Sequence, residues 1–135
     1  MAAGALERLN SSINNSATMV GTAAADIPGP AHRFVMYDAD GNIAIATSAE
    51  AAIGTILSST LDPIFAGRPI HFLIKYIGLV EAGAAIDIGA LCTIDTDGRV
   101  IPAEEGDFIV GRAFEAATVM GDVVQFQINQ MGYMA

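Results

Sequence analysis

The feature that most limits what this chain can become is an internal repeat. Asp38-Ala-Asp40-Gly41 followed by Ile43 returns as Asp95-Thr-Asp97-Gly98 followed by Val100, a shift of 95 − 38 = 57 residues. Ile53-Gly54 returns as Val110-Gly111, again at 110 − 53 = 57. Gly67, Ile70, Phe72 and Ile74 are then answered by Gly121, Val124, Phe126 and Ile128 at a shift of 121 − 67 = 54. One β unit is used twice. Each copy reads as a strand, an Asp-Gly turn, a second strand, an Ile/Val-Gly strand and a Gly-led strand, which suffices for two small sheets facing each other or a squat closed barrel.

Local texture supports this reading. From Arg33 onward, short runs of β-branched residues are broken every eight to twelve positions by Gly, Pro or Asp. In VVQFQIN, Val124, Phe126 and Ile128 alternate with Gln125, Gln127 and Asn129, the period of two expected when one strand face is buried. SAEAA at 48–52 has room for a single helical turn. The expectation is therefore an all-β domain over 31–135, a small β-sandwich or squat β-barrel with pseudo-twofold character, its repeats spanning about 33–74 and 90–128.

Residues 1–30 are different. They are rich in Ala, Ser, Asn and Thr, carry charge only at Glu7, Arg8 and Asp26, and close with Pro28-Gly29-Pro30. That reads as an arm, extended or partly helical, ending in a stiff joint. Leu6, Leu9 and Ile13 share one face if the segment is helical, although SSINNS follows at once and competes through side-chain hydrogen bonds to the backbone. As an anchor, the arm is expected to be dispensable for folding up to residue 25.

Composition bounds the partners. A chain of 135 residues makes one domain of ordinary size. Hydrophobic residues form 53% of it and charged residues 16%, against about 25% charged in an average soluble domain, so part of the surface is expected to be covered by another protein. A formal net charge of -9 opposes binding to a phosphate backbone, which excludes nucleic acid as a partner. The single cysteine, Cys92, cannot form an internal disulfide. The start MAAGALERLN lacks a secretion signal, and no run approaches the ~18 apolar residues of a membrane span. The expectation is a soluble protein made in the cytoplasm, with no membrane partner.

Candidate chemistry is sparse. The two Asp-x-Asp-Gly segments begin like calcium loops, but NIAIATSAE after Gly41 and RVIPAEE after Gly98 supply no ordered run of oxygen ligands, so tight hairpin turns are the expectation. His32 and His71 lie in different settings, and with Cys92 they show no zinc spacing. Cys92 sits inside ALCTID, where a small buried hydrophobe is the default. Glu104-Glu105-Gly-Asp107 reads as a solvated loop. No nucleophile elbow, P-loop or dinucleotide fingerprint occurs, so no enzyme, cofactor or metal is expected. The sequence instead offers apolar, weakly charged segments: Ile64 and Phe65 in a turn, Met131, Tyr133 and Met134 in the tail, and Leu6, Leu9 and Ile13 in the arm. These eight residues are the candidate protein interface.

The segment Ile77-Gly78-Leu-Val-Glu-Ala-Gly-Ala-Ala-Ile-Asp-Ile-Gly89-Ala-Leu-Cys-Thr-Ile-Asp95-Thr-Asp-Gly98-Arg-Val100 is followed by Ile109-Val110-Gly111-Arg-Ala113-Phe114-Glu-Ala116-Ala and by Gly121-Asp122-Val-Val-Gln-Phe126. It resembles the capsid cement (head decoration) proteins of tailed bacteriophages. In that family a Gly-led strand, a hairpin, an "i-G-x-A-l-e-a-a" strand and a closing "G-d-x-v-x-v" strand recur in the same order. The resemblance covers about residues 67–128, with a weaker echo over 33–60. It implies a small β domain, usually a homotrimer, on the outer capsid surface of the virion, where it binds and clamps major capsid subunits, with no catalytic residues. The first 30 residues exceed what the family core requires. The alternative is a trimeric β binding module of a phage tail, fibre or receptor-binding assembly.

Overall fold

In a computed structural model, residues 16–27, 32–57 and 63–135 are described. Their ten strands are β1 Thr18–Thr22, β2 Phe34–Tyr37, β3 Ile43–Ile45, β4 Gly54–Ile56, β5 Pro69–Leu73, β6 Tyr76–Glu81, β7 Leu91–Ile94, β8 Val100–Pro102, β9 Phe108–Ala113 and β10 Val123–Tyr133. They form two five-stranded antiparallel sheets with the same internal order, β1-β5-β4-β2-β3 and β6-β10-β9-β7-β8. The repeat seen in the sequence is thus one sheet made twice, and the fold is the expected all-β sandwich.

The two units match in register as well as order. Gly21 opposes Ile70 in the first and Val80 opposes Val124 in the second, so the opening strands correspond at a shift of 80 − 21 = 59. A parallel bridge, Ala23–Ile43 in one unit and Ala82–Val100 in the other, curls each sheet until its first strand touches its hairpin without closing a continuous ladder. Inside the first curl lie Ala23, Ile27, Val35, Ile43, Ile56, Ile64, Ile70 and Phe72. The equivalents Ala82, Ile86, Cys92, Val100, Ala113, Ala117, Val124 and Phe126 are buried in the second.

The repeated residues are explained by local geometry. Asp38 Oδ1 accepts the N–H groups of Asp40 and Asn42, both at 2.9 Å, and Asp95 Oδ1 accepts those of Asp97 at 2.9 Å and Arg99 at 3.0 Å. Each carboxylate therefore builds its own turn, and Gly41 (φ 78°) and Gly98 (φ 76°) take the left-handed conformation that completes it. The Ile/Val-Gly pair has a different cause. A Cβ at Gly54 would strike the Leu73 carbonyl oxygen, and one at Gly111 the Gln127 carbonyl oxygen and the Phe126 ring.

β1 lies inside the segment read from the sequence as an arm, and it is an integral strand: Thr18–Thr22 pairs with Leu73–Pro69, and Ala23 and Ile27 belong to the first core. Its TMVGT is largely solvent-exposed, so no buried alternation marked it as a strand. Leu6, Leu9, Ile13 and the Pro28-Gly29-Pro30 joint fall outside the described residues.

The units are not related by a self-complementary contact. β2, β4 and β5 of the first unit present Phe34, Thr55 and Leu73 outward, away from their own core and into the second unit. The Phe34 ring meets Phe126 edge-on with centroids 6.0 Å apart. Phe34 N–H donates to the Gly98 carbonyl at 2.9 Å and Glu81 N–H to the His32 carbonyl at 2.7 Å. Gly78 leaves space for Leu73, and Gln130 Nε2 donates to the Ala52 carbonyl at 2.7 Å. The link from β5 to β6 is only Ile74-Lys75, after which Tyr76 takes a left-handed φ of 72° beneath the Lys75 ammonium, 5.0 Å from its ring centroid.

Two stability outcomes follow. Gly41 faces open space, whereas a Cβ on Gly98 would lie 2.7 Å from the Phe34 carbonyl oxygen. Gly41→Ala should cost about 1 kcal/mol of backbone strain and Gly98→Ala about 2–3 kcal/mol, measured by urea denaturation. A chain starting at residue 28 loses β1 and two core side chains. Its thermal transition, followed by circular dichroism, should show a loss of about 3 kcal/mol or more.

Candidate functional site

Most polar groups singled out from the sequence are engaged in structure, whereas His32 Nδ1 is buried without a hydrogen-bond partner. Cys92 is fully buried on β7, its thiol directed at the Ala90 carbonyl at 3.6 Å, and burial pushes its pKa up from 9.0 to about 12. A thiol held neutral there is no nucleophile at physiological pH. Asp107 Oδ2 accepts the Glu104 N–H at 2.9 Å, so that acidic group forms a turn. Asp122 is held below the usual carboxylate range by the N–H groups of Thr118 and Val119 and the Thr118 hydroxyl, and it shapes the 118–122 loop. His71 is exposed on β5 opposite Val20, and His32 is half-buried at the junction between units. Among the described residues no three His, Cys, Asp or Glu side chains gather as a metal site would require.

The strongest electrostatic arrangement joins the two units. The Glu81 carboxylate receives Arg99 Nε in a short hydrogen bond and Arg33 Nη2 at 3.5 Å, and Arg99 also reaches Asp97 at 3.5 Å. Glu81 holds the Arg99 guanidinium still more firmly protonated than usual, chiefly through that hydrogen bond. This is a half-buried strap between units, with both cations facing an anion, although Arg33 Nε is buried without a hydrogen-bond partner.

Apolar surface is the distinctive property of the exterior. On β6, Ile77 is 50% and Leu79 42% exposed, and they share the outer face of the second sheet with Val123 of β10; Phe114, just beyond β9, is exposed alongside through the bond from its N–H to the Gln125 carbonyl. Val119 and Met120 stand beside them in the loop preceding β10. A second apolar feature is a groove of about 440 Å³ between units, walled by Phe34, Ile53, Ile74 and Ile128 and edged by Lys75 and Asn129.

The candidate interface residues are distributed rather than gathered. Ile64 is 4% exposed and exchanges both backbone hydrogen bonds with Ile27, so it belongs to the first core, leaving Phe65 as the exposed member of that turn. Met131 and Tyr133 are exposed on the extended end of β10, with Tyr133 edge-on to Phe108 at 5.3 Å; Met134 is half-buried, and its backbone is tied to Gly106 and Asp107. Phe65 thus lies on the first unit and the tail residues on the second. Sequence reasoning missed the outer face of β6. Its signal was present: Tyr76–Glu81 is apolar on both faces up to Glu81, a pattern excessive for a strand with one solvated side.

Comparison with known proteins adds a fold. Over 87% of this chain and 98% of its own, the N base of the head fiber gp8.5 of bacteriophage phi29 superposes with a TM-score of 0.57 at 20% sequence identity. This chain shares that protein's fold. The likeness spans both β units, since no single unit accounts for so large a share of the chain. No family model matches the sequence, and no curated protein matches it.

The Cys92 environment sets a chemical test. In the folded protein the thiol should stay unmodified by a disulfide-exchange reagent at pH 8 and become titratable in denaturant. Because its pKa is raised on folding, the stabilisation it carries is complete below about pH 9 and lost as pH rises toward 12. Denaturation midpoints measured from pH 8 to 11 should fall accordingly.

Proposed function

We propose that this chain is a structural protein of a tailed-phage head, a two-unit β module that seats on the outer capsid surface, binds major capsid subunits and associates with itself as a trimer. The observation that carries the reading is the end-to-end likeness to a phage head-fiber base, 98% of which is covered. Three further facts support it. The hairpin and strand motifs of 67–128 resemble those of head decoration proteins. The outer positions Ile77 and Leu79 of β6, with Val123 of β10, are apolar and exposed, beside Gln125 and Gln127 on the same face, as a surface made to be covered can be. A net charge of -9 leaves no attraction for packaged DNA. Several modest contacts made by one trimer would add as avidity, because later contacts are intramolecular.

Two roles fit such a module: cement between capsid subunits, resembled by the motifs, and the base of a head fiber, resembled by the fold. Copy number separates them. Purified chain should co-sediment with heads that lack it; saturation of the head surface supports the cement role, and occupancy of a few positions supports the fiber base. No binding to heads at all overturns the proposal. Deleting residues 1–15, which carry Leu6, Leu9 and Ile13, should weaken co-sedimentation while leaving the circular dichroism of the sheets unchanged.

A further inference from the structure

The contact between the two units is head-to-tail, and this has a geometric consequence. One unit contributes the outward residues Phe34, Thr55 and Leu73 together with the His32 carbonyl; the other contributes Gly78, Glu81, Ile94 and the Gly98 turn. Because the units share a fold, every chain carries a second, unused version of each surface. The outward residues of the second unit are Leu91, Arg112 and Gln127, at shifts of 91 − 34 = 57, 112 − 55 = 57 and 127 − 73 = 54. The receiving residues of the first unit are Met19, Thr22, Tyr37 and the Gly41 turn, at shifts of 78 − 19 = 59, 81 − 22 = 59, 94 − 37 = 57 and 98 − 41 = 57.

Exposure follows this division. Where the units meet, Phe34, Thr55, Leu73 and Ile94 are buried. Their unmatched counterparts are open: Leu91 and Gln127 are half-exposed, Arg112 is exposed, Tyr37 is 49% exposed, and Met19, where the covered unit has Gly78, is 41% exposed. The open receiving face keeps large apolar side chains in place of the polar residues a permanently solvated strand would carry. Its turn carries Asp40, and the open outward face carries Arg112, so one pair of opposite charges is available between them.

We propose that a second copy of this chain covers these faces, the receiving face around Met19, Thr22 and Tyr37 of one molecule docking on the outward face around Leu91, Arg112 and Gln127 of the next. The contact continues between chains the one that joins units within a chain. Such a contact is heterologous and closes into a ring when its rotation permits. At three copies the ring holds six β units. The ring size rests on the trimer proposed above, whereas the docking of the two faces does not. Between chains the contact is weaker than within one. Thr22 and Asn42 stand where Glu81 and Arg99 form the strap, and Arg112 Nη1, which donates to the Gly89 carbonyl at 2.8 Å, must withdraw from the position where the His32 carbonyl receives Glu81 N–H in the covered contact.

Disulfide trapping tests the proposal. Met19→Cys and Gln127→Cys single variants, mixed and mildly oxidised, should form a cross-linked dimer, and neither should do so alone; Cys92 is buried and unmodified wild-type protein is the control. The double variant should yield a discrete closed species of three chains, read by mass under denaturing conditions. Met19→Glu, confirmed folded by circular dichroism, should weaken self-association in sedimentation equilibrium about tenfold or more. Cross-linking of either single variant with itself would show a self-complementary contact and overturn the proposal. So would an unmixed monomer at all concentrations, or wild-type association of folded Met19→Glu. An unlimited ladder from the double variant overturns the ring, and a closed species of another size overturns the count of three without touching the head contacts proposed above.

Discussion

Phe34 belongs by sequence to the first β unit and by burial to the second. On β2, Val35 points into the first curl while Phe34 points out of it, against Phe126. That single alternation makes one body of two sheets that could otherwise each bury their own core. A ring of this size buries on the order of 150–250 Å² of surface, so it can hold a junction together where the neighbouring polar contacts only orient it. Around it, Thr55, Leu73 and the alanines at 46, 49 and 52 turn the outer face of the first sheet into a second interior. The Glu81 strap and the hydrogen bonds to the Gly98 and His32 carbonyls then fix how that interior is approached.

The groups that look reactive in the sequence serve the same construction. Acidic groups that look like ligands in the sequence are used to shape turns, and the lone thiol fills a position whose counterpart is Val35. The remaining resource is surface, and the surface is apolar on one sheet face more than on the other. The outer positions of β6, Ile77 and Leu79, correspond to Thr18 and Val20 of β1.

Much of the fold was legible because the repeat is written in residues that geometry leaves little freedom to change. Asp38 and Asp95 each hold two amides, Gly41 and Gly98 need positive φ, and Gly54 and Gly111 lie against a neighbouring carbonyl. β1 was not legible, since none of its five residues is identical to its counterpart in β6 and nearly all are exposed. The direction of the unit contact was equally hidden. Two similar sheets suggest twofold symmetry, but in the structure Phe34 is covered and Leu91 is not, a choice that nothing in the matching residues of the two copies announces. At the candidate interface, Phe65, Met131 and Tyr133 are exposed, while Ile64 shows that a turn-like sequence can still feed a core.

The head-to-tail junction also gives two structurally equivalent positions different freedom to change, a point clearest at β4 and β9. Thr55 sits under the second unit, where an added atom has nowhere to go, while Arg112 at the same structural position faces outward and can hold a long cation. Identical scaffolding thus places one copy under packing selection and leaves its twin available for new contacts.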